Sequence, residues 1–338
     1  MSLVTSECDV MVTGGTGFLG RHLVQRLLDD GRRVRLLVRS PGSLPEDLAR
    51  RCTVVRGDLG DTEALQVAVA GVRTIFHCAA NVHTWDSAEN YHAANVDGVR
   101  HLLAAIAGSN PGLERLVHVS TVDVYGYPPF PCDETTPMSG GGFGYGESKL
   151  QGESLVRSFC AANHIPFTIL RPGNVIGPGS QFVQRIGDGL KSGVMLKIDG
   201  GLANAGVVDV GNLVDALIWA AEADVALGEC YNVRDVCDVS WAEFIRVFRA
   251  GIKGRGIVVN LPFATAMRFA TWVEWGWRLL ALAREPFLHR LLVNIFGRTC
   301  GHSADKIRRH GGWAGRVGFD ESMARSIRWF IEHESAPR

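Results

Sequence analysis

The sequence predicts an α/β fold: a Rossmann-type doubly wound parallel sheet carrying a smaller, mixed C-terminal lobe that binds substrate. Three observations predict it. From residue 10 to about residue 120, short apolar runs alternate with segments of helical period, the pattern of βαβ units. A glycine-rich turn joins the first apolar run to the first helical segment. Beyond residue 172 the alternation loosens and Gly and Pro become dense.

In chain order, 10–13 reads as the first strand, and a helix follows the glycine-rich turn to about residue 30, stopped by Gly31. Strands are expected at 33–38, 52–56, 74–78 and 116–120, and helices at 62–70 and 95–108. A long helix over 145–162 precedes a sixth strand at 167–170, which Arg171-Pro172-Gly173 ends. The strands are near-continuous apolar runs, as a parallel sheet covered on both faces requires. Later helices are expected at 240–249 and 321–334. The expected division is a cofactor-binding domain over 1–175, completed by parts of 205–235, and a substrate lobe over 176–204 and 236–335.

The chain has 338 residues, a length prior of about two domains. Hydrophobic residues make up 46%, enough for a sizeable core. Thirty-five basic residues balance 35 acidic ones, so no basic field marks a dedicated nucleic-acid binder. Eight cysteines are scattered without a C-x-x-C pair, which reads as buried thiols in a reducing, cytoplasmic setting. No ligand spacing points to a metal site. The N-terminus lacks a signal-peptide pattern, and no apolar stretch reaches the ~18 residues of a spanning helix.

Thr13-Gly14-Gly15-Thr16-Gly17-Phe18-Leu19-Gly20 follows a strand and opens a helix. Gly14 permits the tight turn, Gly17 lets backbone approach a pyrophosphate at the helix N-terminus, and Gly20 lets helix and strand lie close. This context points to a dinucleotide. At the end of the second strand, where an acid would bind the ribose 2′-hydroxyl, stands Arg39. A guanidinium suits a 2′-phosphate, so NADP(H) is expected over NAD(H). Asp58 ends the third strand, where its carboxylate could accept from the adenine amino group or cap a turn. Ala79 and Ala80 are small residues where the fourth strand passes the cofactor.

Tyr145 and Lys149 stand one helical turn apart, at the C-terminal edge of the sheet where ligands bind. A neighbouring ammonium favours phenolate, which makes Tyr145 a candidate acid/base. Ser120-Thr121 ends the fifth strand, and a hydroxyl there could hold a substrate oxygen toward Tyr145.

Taken together, these motifs resemble the extended short-chain dehydrogenase/reductase (NAD-dependent epimerase/dehydratase) superfamily over roughly 9–250. The matching pieces are Thr13–Gly20 with Thr16, Phe18 and Leu19, Gly57-Asp58-Leu59, Ala79-Ala80, Asn95, Ser120-Thr121 before Val124-Tyr125-Gly126, Tyr145-x-x-x-Lys149 and Arg171-Pro172-Gly173. The resemblance implies that Tyr145 is the acid/base and that Thr121 is the catalytic hydroxyl. It implies that Lys149 binds the nicotinamide ribose and lowers the Tyr145 pKa. Pro172, Gly173 and Val175 would lie along the nicotinamide, with Asn174 toward substrate.

Dehydratases of the superfamily carry Thr-Asp-Glu where this chain has Thr121-Val122-Asp123, so elimination is disfavoured and Asp123 is left as an extra acid or a strand-edge turn residue. The blocks Val208-Asp209-Val210-Gly211-Asn212-Leu213, Tyr231-Asn232-Val233-Arg234-Asp235, Ser303-Ala304-Asp305-Lys306, Gly312-Trp313 and Phe319-Asp320-Glu321 are similar to the 3β-hydroxysteroid dehydrogenase branch, which includes bacterial 2-alkyl-3-oxoalkanoate reductases. That resemblance implies a small-molecule apolar ketone/alcohol substrate. A sugar epimerase and a non-catalytic NADP sensor are the alternatives. The superfamily's paired helices imply a homodimer through 95–108 and 145–162, with Leu102, Leu103, Ile106, Leu150, Leu155 and Val156 as the apolar stripe. His83 and Trp85 follow the fourth strand where members contact substrate.

Residues 262–296 read as one or two amphipathic helices broken at Pro286. Trp272, Trp275 and Trp277 go around the helix, so some must be exposed or covered. Three readings stay open: packing on the lobe, a wall and lid for a greasy substrate, and weak membrane-surface contact, against which the acids Glu274 and Glu285 count.

Overall fold

The computed structural model describes residues 8–333 except 41, 43, 281, 283, 312 and 314. The first half runs β1 (Val10–Thr13), α1 (Phe18–Asp29), β2 (Val34–Val38), α2 (Glu46–Arg51), β3 (Thr53–Arg56), α3 (Thr62–Val69), β4 (Thr74–His77), α4 (Ala88–His92), α5 (Gly98–Ser109), β5 (Arg115–Val119), α6 (Gly144–Asn163) and β6 (Phe167–Pro172). The second half runs β7 (Asn174–Ile176), α7 (Gln181–Lys191), β8 (Val194–Ile198), β9 (Val207–Asp209), α8 (Val210–Glu222), β10 (Cys230–Val233), α9 (Trp241–Gly251), β11 (Ile257–Leu261), α10 (Phe263–Leu279), α11 (Arg290–Gly297), α12 (Asp305–Gly311) and α13 (Phe319–His333).

Seven strands form one parallel sheet in the order β10-β6-β5-β4-β1-β2-β3. The strand order reverses beside β1, and a ligand crevice opens at the carboxyl ends of strands at such a switch point. Apolar side chains cover both faces. Leu23, Val24 and Leu27 of α1 meet Leu213 and Leu217 of α8 on one side. Leu65 of α3, Leu102 and Ile106 of α5, and Val156 of α6 cover the other. A separate core built on Trp241, Phe244, Phe248, Phe296 and Phe330 fills the lobe.

The six expected strands and the long α6 stand within two or three residues of their expected positions. The expected helix over 95–108 is interrupted: α4 passes through a π turn, Ala93–Asp97, before α5. Such a turn inserts one residue and re-aims a side chain, here Asn95. α6 packs closely on this turn, because a Cβ on Gly152 would sit 2.3 Å from the Asn95 carbonyl oxygen. The short elements α2, β7 and β8 carry too little periodicity to be read from sequence; α7 has a helical period, with Val183, Ile186 and Leu190 buried on one face, but the dense Gly and Pro around it mask the pattern.

Ala304, Ile307 and Trp313 pack into the core beside the sheet and not into the lobe, because α12 lies against β10; the Gly312 of that motif, and residue 334 of the expected last helix, lie outside the described residues. Of the six residues named for a dimer stripe, Leu150 and Leu155 are half-buried. Leu102, Leu103, Ile106 and Val156 are buried within the chain, since α5 packs against α3 and α6. The remaining blocks of the branch resemblance form a polar staple. Asp209 accepts from Ser322 and Arg325 of α13, and Asp235 accepts from the Asp209 amide and from Asn212. Those residues hold the C-terminal helix to the sheet domain.

Candidate active site

The glycine-rich loop forms a cradle. Gly14 has φ 71°, and a Cβ there would sit 2.7 Å from the Ala79 nitrogen. A Cβ on Gly20 would lie 2.0 Å from the Gly14 carbonyl oxygen, so α1 approaches β1 only because that side chain is missing. Thr13 donates to or accepts from His77 Nδ1 at 2.8 Å and accepts from the Ala79 amide, which pins the end of β4 beside β1. The first turn of α1 has no side-chain cap and no acid. An uncapped helix N-terminus behind a cradle that any Cβ would fill suits the pyrophosphate of a dinucleotide. Phe18 and Leu19 open this helix. The Thr16 carbonyl accepts from Arg21 Nε at 2.7 Å.

The neighbouring positions divide by what their side chains do. Arg39 is exposed at the end of β2, and no ion pair engages it among the described residues. Asp58 is exposed and one of its oxygens caps the Gly60 amide at 2.8 Å, while Leu59 packs on Gly98. Ala79 and Ala80 are half-buried at the cradle's rim. Asn95 has its amide fully engaged: it accepts from the Asn81 amide at 2.8 Å and donates to the Asn81 carbonyl and the Ser148 hydroxyl. It therefore clamps the segment after β4 to α6. Gly173 lets β6 pass Gly206, whose carbonyl oxygen would stand 2.2 Å from a Cβ. Pro172 ends β6 and Val175 lies in β7. The Asn174 amide donates to the Ala205 carbonyl at 2.6 Å.

Tyr145, Thr121 and Asp123 come together where β5 ends and α6 begins. Thr121 is buried and caps the turn that follows β5, accepting from the Asp123 amide. Its neighbour Ser120 points the other way, donating to Glu153 Oε2 at 2.8 Å. Burial drives the Tyr145 hydroxyl well above its ordinary pKa, and the Asp123 charge adds to this; the adjacent Thr121 hydroxyl pulls the other way. Tyr145 is thus held as the protonated acid. Burial likewise lifts the Asp123 carboxyl to about 6, with Tyr127 beside it pulling down. Asp123, Tyr127, Tyr145 and Asn174 all keep partial exposure, so the cluster opens outward.

Lys149 lies one turn along α6 from Tyr145. Its ammonium is buried and donates to the Val119 carbonyl at 2.6 Å. Burial lowers the Lys149 pKa to about 8, with Glu153 and Cys78 opposing. Beneath it His77 and His118 stack at 5.3 Å, both kept neutral mainly by burial.

A second layer was not assigned from sequence. Arg171 Nε donates to Glu153 Oε2 at 3.0 Å, and its Nη1 to the Tyr125 hydroxyl at 2.7 Å; that hydroxyl donates to Asn232. Burial opposes ionisation of Glu153, but the hydrogen bonds and charges of Arg171 and Arg157 prevail and its pKa is lowered. The signal was present: Glu153 continues the four-residue spacing of Tyr145 and Lys149 along one face of α6.

His83 is exposed, and its carbonyl, not its ring, accepts from Tyr91. Trp85 packs against His289 at 5.6 Å, beneath the Arg278 guanidinium. Pro286 separates α10 from α11, as expected. Trp277 packs on Phe287, but Trp272 and Trp275 face solvent and wall no pocket.

Comparison with known proteins agrees with this geometry. The profile described as "NAD dependent epimerase/dehydratase family" matches residues 10–233. The chain is 34% identical to a 4-hydroxy-2-methyl-3-oxo-4-farnesyl-3,4-dihydroquinoline-1-oxide ketoreductase of Stigmatella aurantiaca, over 92% of this chain and 93% of the relative. It is 30% identical to a 2-alkyl-3-oxoalkanoate reductase of Stenotrophomonas maltophilia, over 94% and 97%. Among solved structures, MoeE5 in complex with UDP-glucose and NAD superposes with a TM-score of 0.75 at 25% identity, covering 97% of this chain and 100% of that one. The protein is an NAD(P)-dependent oxidoreductase acting on CH–OH groups, and it belongs to the NAD-dependent epimerase/dehydratase family of extended short-chain dehydrogenases/reductases.

Proposed function

We propose that this enzyme interconverts a ketone and a secondary alcohol on a largely apolar substrate, with NADP(H) as cofactor. The observation that carries the reading is the Thr121–Tyr145 pair: a phenol kept protonated, with a second hydroxyl beside it, at the carboxyl end of β5. Bound nicotinamide would supply or accept the hydride. The Gly14–Gly20 cradle would hold the pyrophosphate, and Lys149 would hold the ribose from its anchor on Val119. Thr121 orients the substrate oxygen and Tyr145 donates its proton to that oxygen in reduction, taking it back in oxidation. The names of the relatives, a farnesylated quinoline ketoreductase and an alkyl oxoalkanoate reductase, support an apolar ketone.

Support for NADP(H) comes from Arg39, free of a carboxylate at the end of β2, with the exposed Arg56 on the strand beside it. Arg39→Ala should weaken NADPH by about tenfold to a hundredfold and NADH little, since a charge-assisted contact contributes ~1.5–3 kcal/mol. A binding titration showing equal losses for the two cofactors would remove this assignment.

Asp123 gives the reaction a pH signature. As pH rises through about 6 its carboxyl ionises beside Tyr145. A negative neighbour disfavours the phenolate left after proton donation, so reduction slows across that range. Asp123→Asn should flatten this limb of the kcat/KM profile; an unchanged limb assigns it elsewhere.

The competing reading is a nucleotide-sugar epimerase, favoured by the likeness to a UDP-glucose complex. The deciding experiment follows NADPH oxidation with steroids, β-keto esters, aryl ketones and nucleotide sugars. A reductase consumes NADPH stoichiometrically with an apolar ketone. An epimerase converts a nucleotide sugar with no net consumption, and that outcome would displace the reductase.

A further inference from the structure

α10 lies on the lobe by a narrow seam. Ala266, Ala270 and Glu274, spaced four apart, form its buried edge, and the two alanines join the lobe core. The opposite face is bare: Trp272 is 70% exposed, Trp275 62% and Leu279 68%. The two indoles meet edge to face at 6.3 Å. The exposed Phe287 extends the patch beyond the helix by packing on Phe269 at 6.0 Å. A soluble monomer seldom leaves such a contiguous aromatic ridge open to water.

The charges around this ridge are sorted by sign. In the sequence, Glu274 and Glu285 count against an anionic partner. In the structure each is engaged by neighbouring side chains. Glu274 is buried and accepts from the Arg290 amide and guanidinium, at 2.6 Å and 2.9 Å. Glu285 is bound to Arg185, Thr84 and His289. Arg268, Arg278 and Arg284 remain exposed, and none meets a carboxylate among the described residues. The exposed face of α10 therefore presents indole and leucine side chains, and the charges that this helix exposes are the arginines Arg268 and Arg278.

We propose that the exposed face of α10, with Trp272, Trp275 and Leu279 at its centre, docks flat onto an anionic lipid bilayer. The ridge is a convex helix face and offers no groove for a peptide. Indole rings sit at a headgroup boundary, while long arginine stems reach from buried apolar surface to phosphate. Self-association through this patch would be isologous and would press one arginine set against its copy. The docking is independent of the substrate reading, because vesicle binding is measured without turnover.

The test is co-sedimentation of the full chain with phosphatidylcholine vesicles, with and without phosphatidylglycerol. Three arginines near the surface should favour the anionic vesicles by roughly a hundredfold, a preference that high salt erases. Trp272→Ser combined with Trp275→Ser should lower partitioning by ~10-fold or more, leaving circular dichroism and turnover in vesicle-free solution unchanged. The proposal falls if the wild type stays in the supernatant with anionic vesicles, if neutral vesicles bind it equally, or if the double variant sediments as well as the wild type. It also falls if light scattering shows a dimer that the double variant dissolves, since the ridge would then be an interface between copies.

Discussion

Tyr145→Phe should lower turnover of the native ketone by ~10²–10⁴-fold while the cofactor still binds, because loss of one positioned acid typically has that effect. The variant removes a single oxygen from a half-buried ring beside Tyr91, so packing is preserved. Thr121 cannot substitute: its hydroxyl already accepts the Asp123 amide and is far too weak an acid to release a proton. Steady-state kinetics with a parallel NADPH titration checks both halves. Retention of more than about a tenth of wild-type kcat would place the acid elsewhere.

The second large effect is on stability. Arg171→Met should destabilise the fold by ~3–5 kcal/mol, since removing one partner of a buried ion pair leaves the Glu153 carboxylate with only the half-buried Arg157 beside it. Arg171 and Glu153 are both essentially inaccessible, and the guanidinium also serves Tyr125. Adding Glu153→Gln should recover part of the loss, because the stranded carboxylate is then neutral. Urea unfolding of the two variants measures this. A loss below about 1 kcal/mol for Arg171→Met would mean the network does not hold α6 to β6.

The two predictions differ in how far they were legible. Tyr145 was visible because its partners are local: an i,i+4 spacing and a strand end just before it. The Glu153–Arg171 pair joins a helix to a strand at a separation of 18 residues, and only the packing of α6 on β6 determines that the two charges meet. The same holds one residue from Thr121. Ser120 and Thr121 are chemically interchangeable in the sequence, yet consecutive side chains at a strand end leave on opposite sides. One enters the Glu153 network and the other the site.

The parallel sheet, the glycine cradle and the family are readable in the chain alone, because each depends on residues close in sequence or on strict spacing. Period-2 and period-3.6 patterns and the positions of missing Cβ atoms are local constraints. Only the tertiary structure decided which way side chains of equal chemistry face. It buried Leu102, Leu103 and Ile106 against α3 and α6, where the sequence offered them as a dimer stripe. It tied the Lys149 ammonium to the Val119 carbonyl, and it raised the Tyr145 pKa through burial. It engaged Glu274 with Arg290 and Glu285 with Arg185, and it left Trp272 and Trp275 outside. An amphipathic pattern states that a helix has two faces; which neighbour covers each face is set by long-range packing and the desolvation of the charges it encloses.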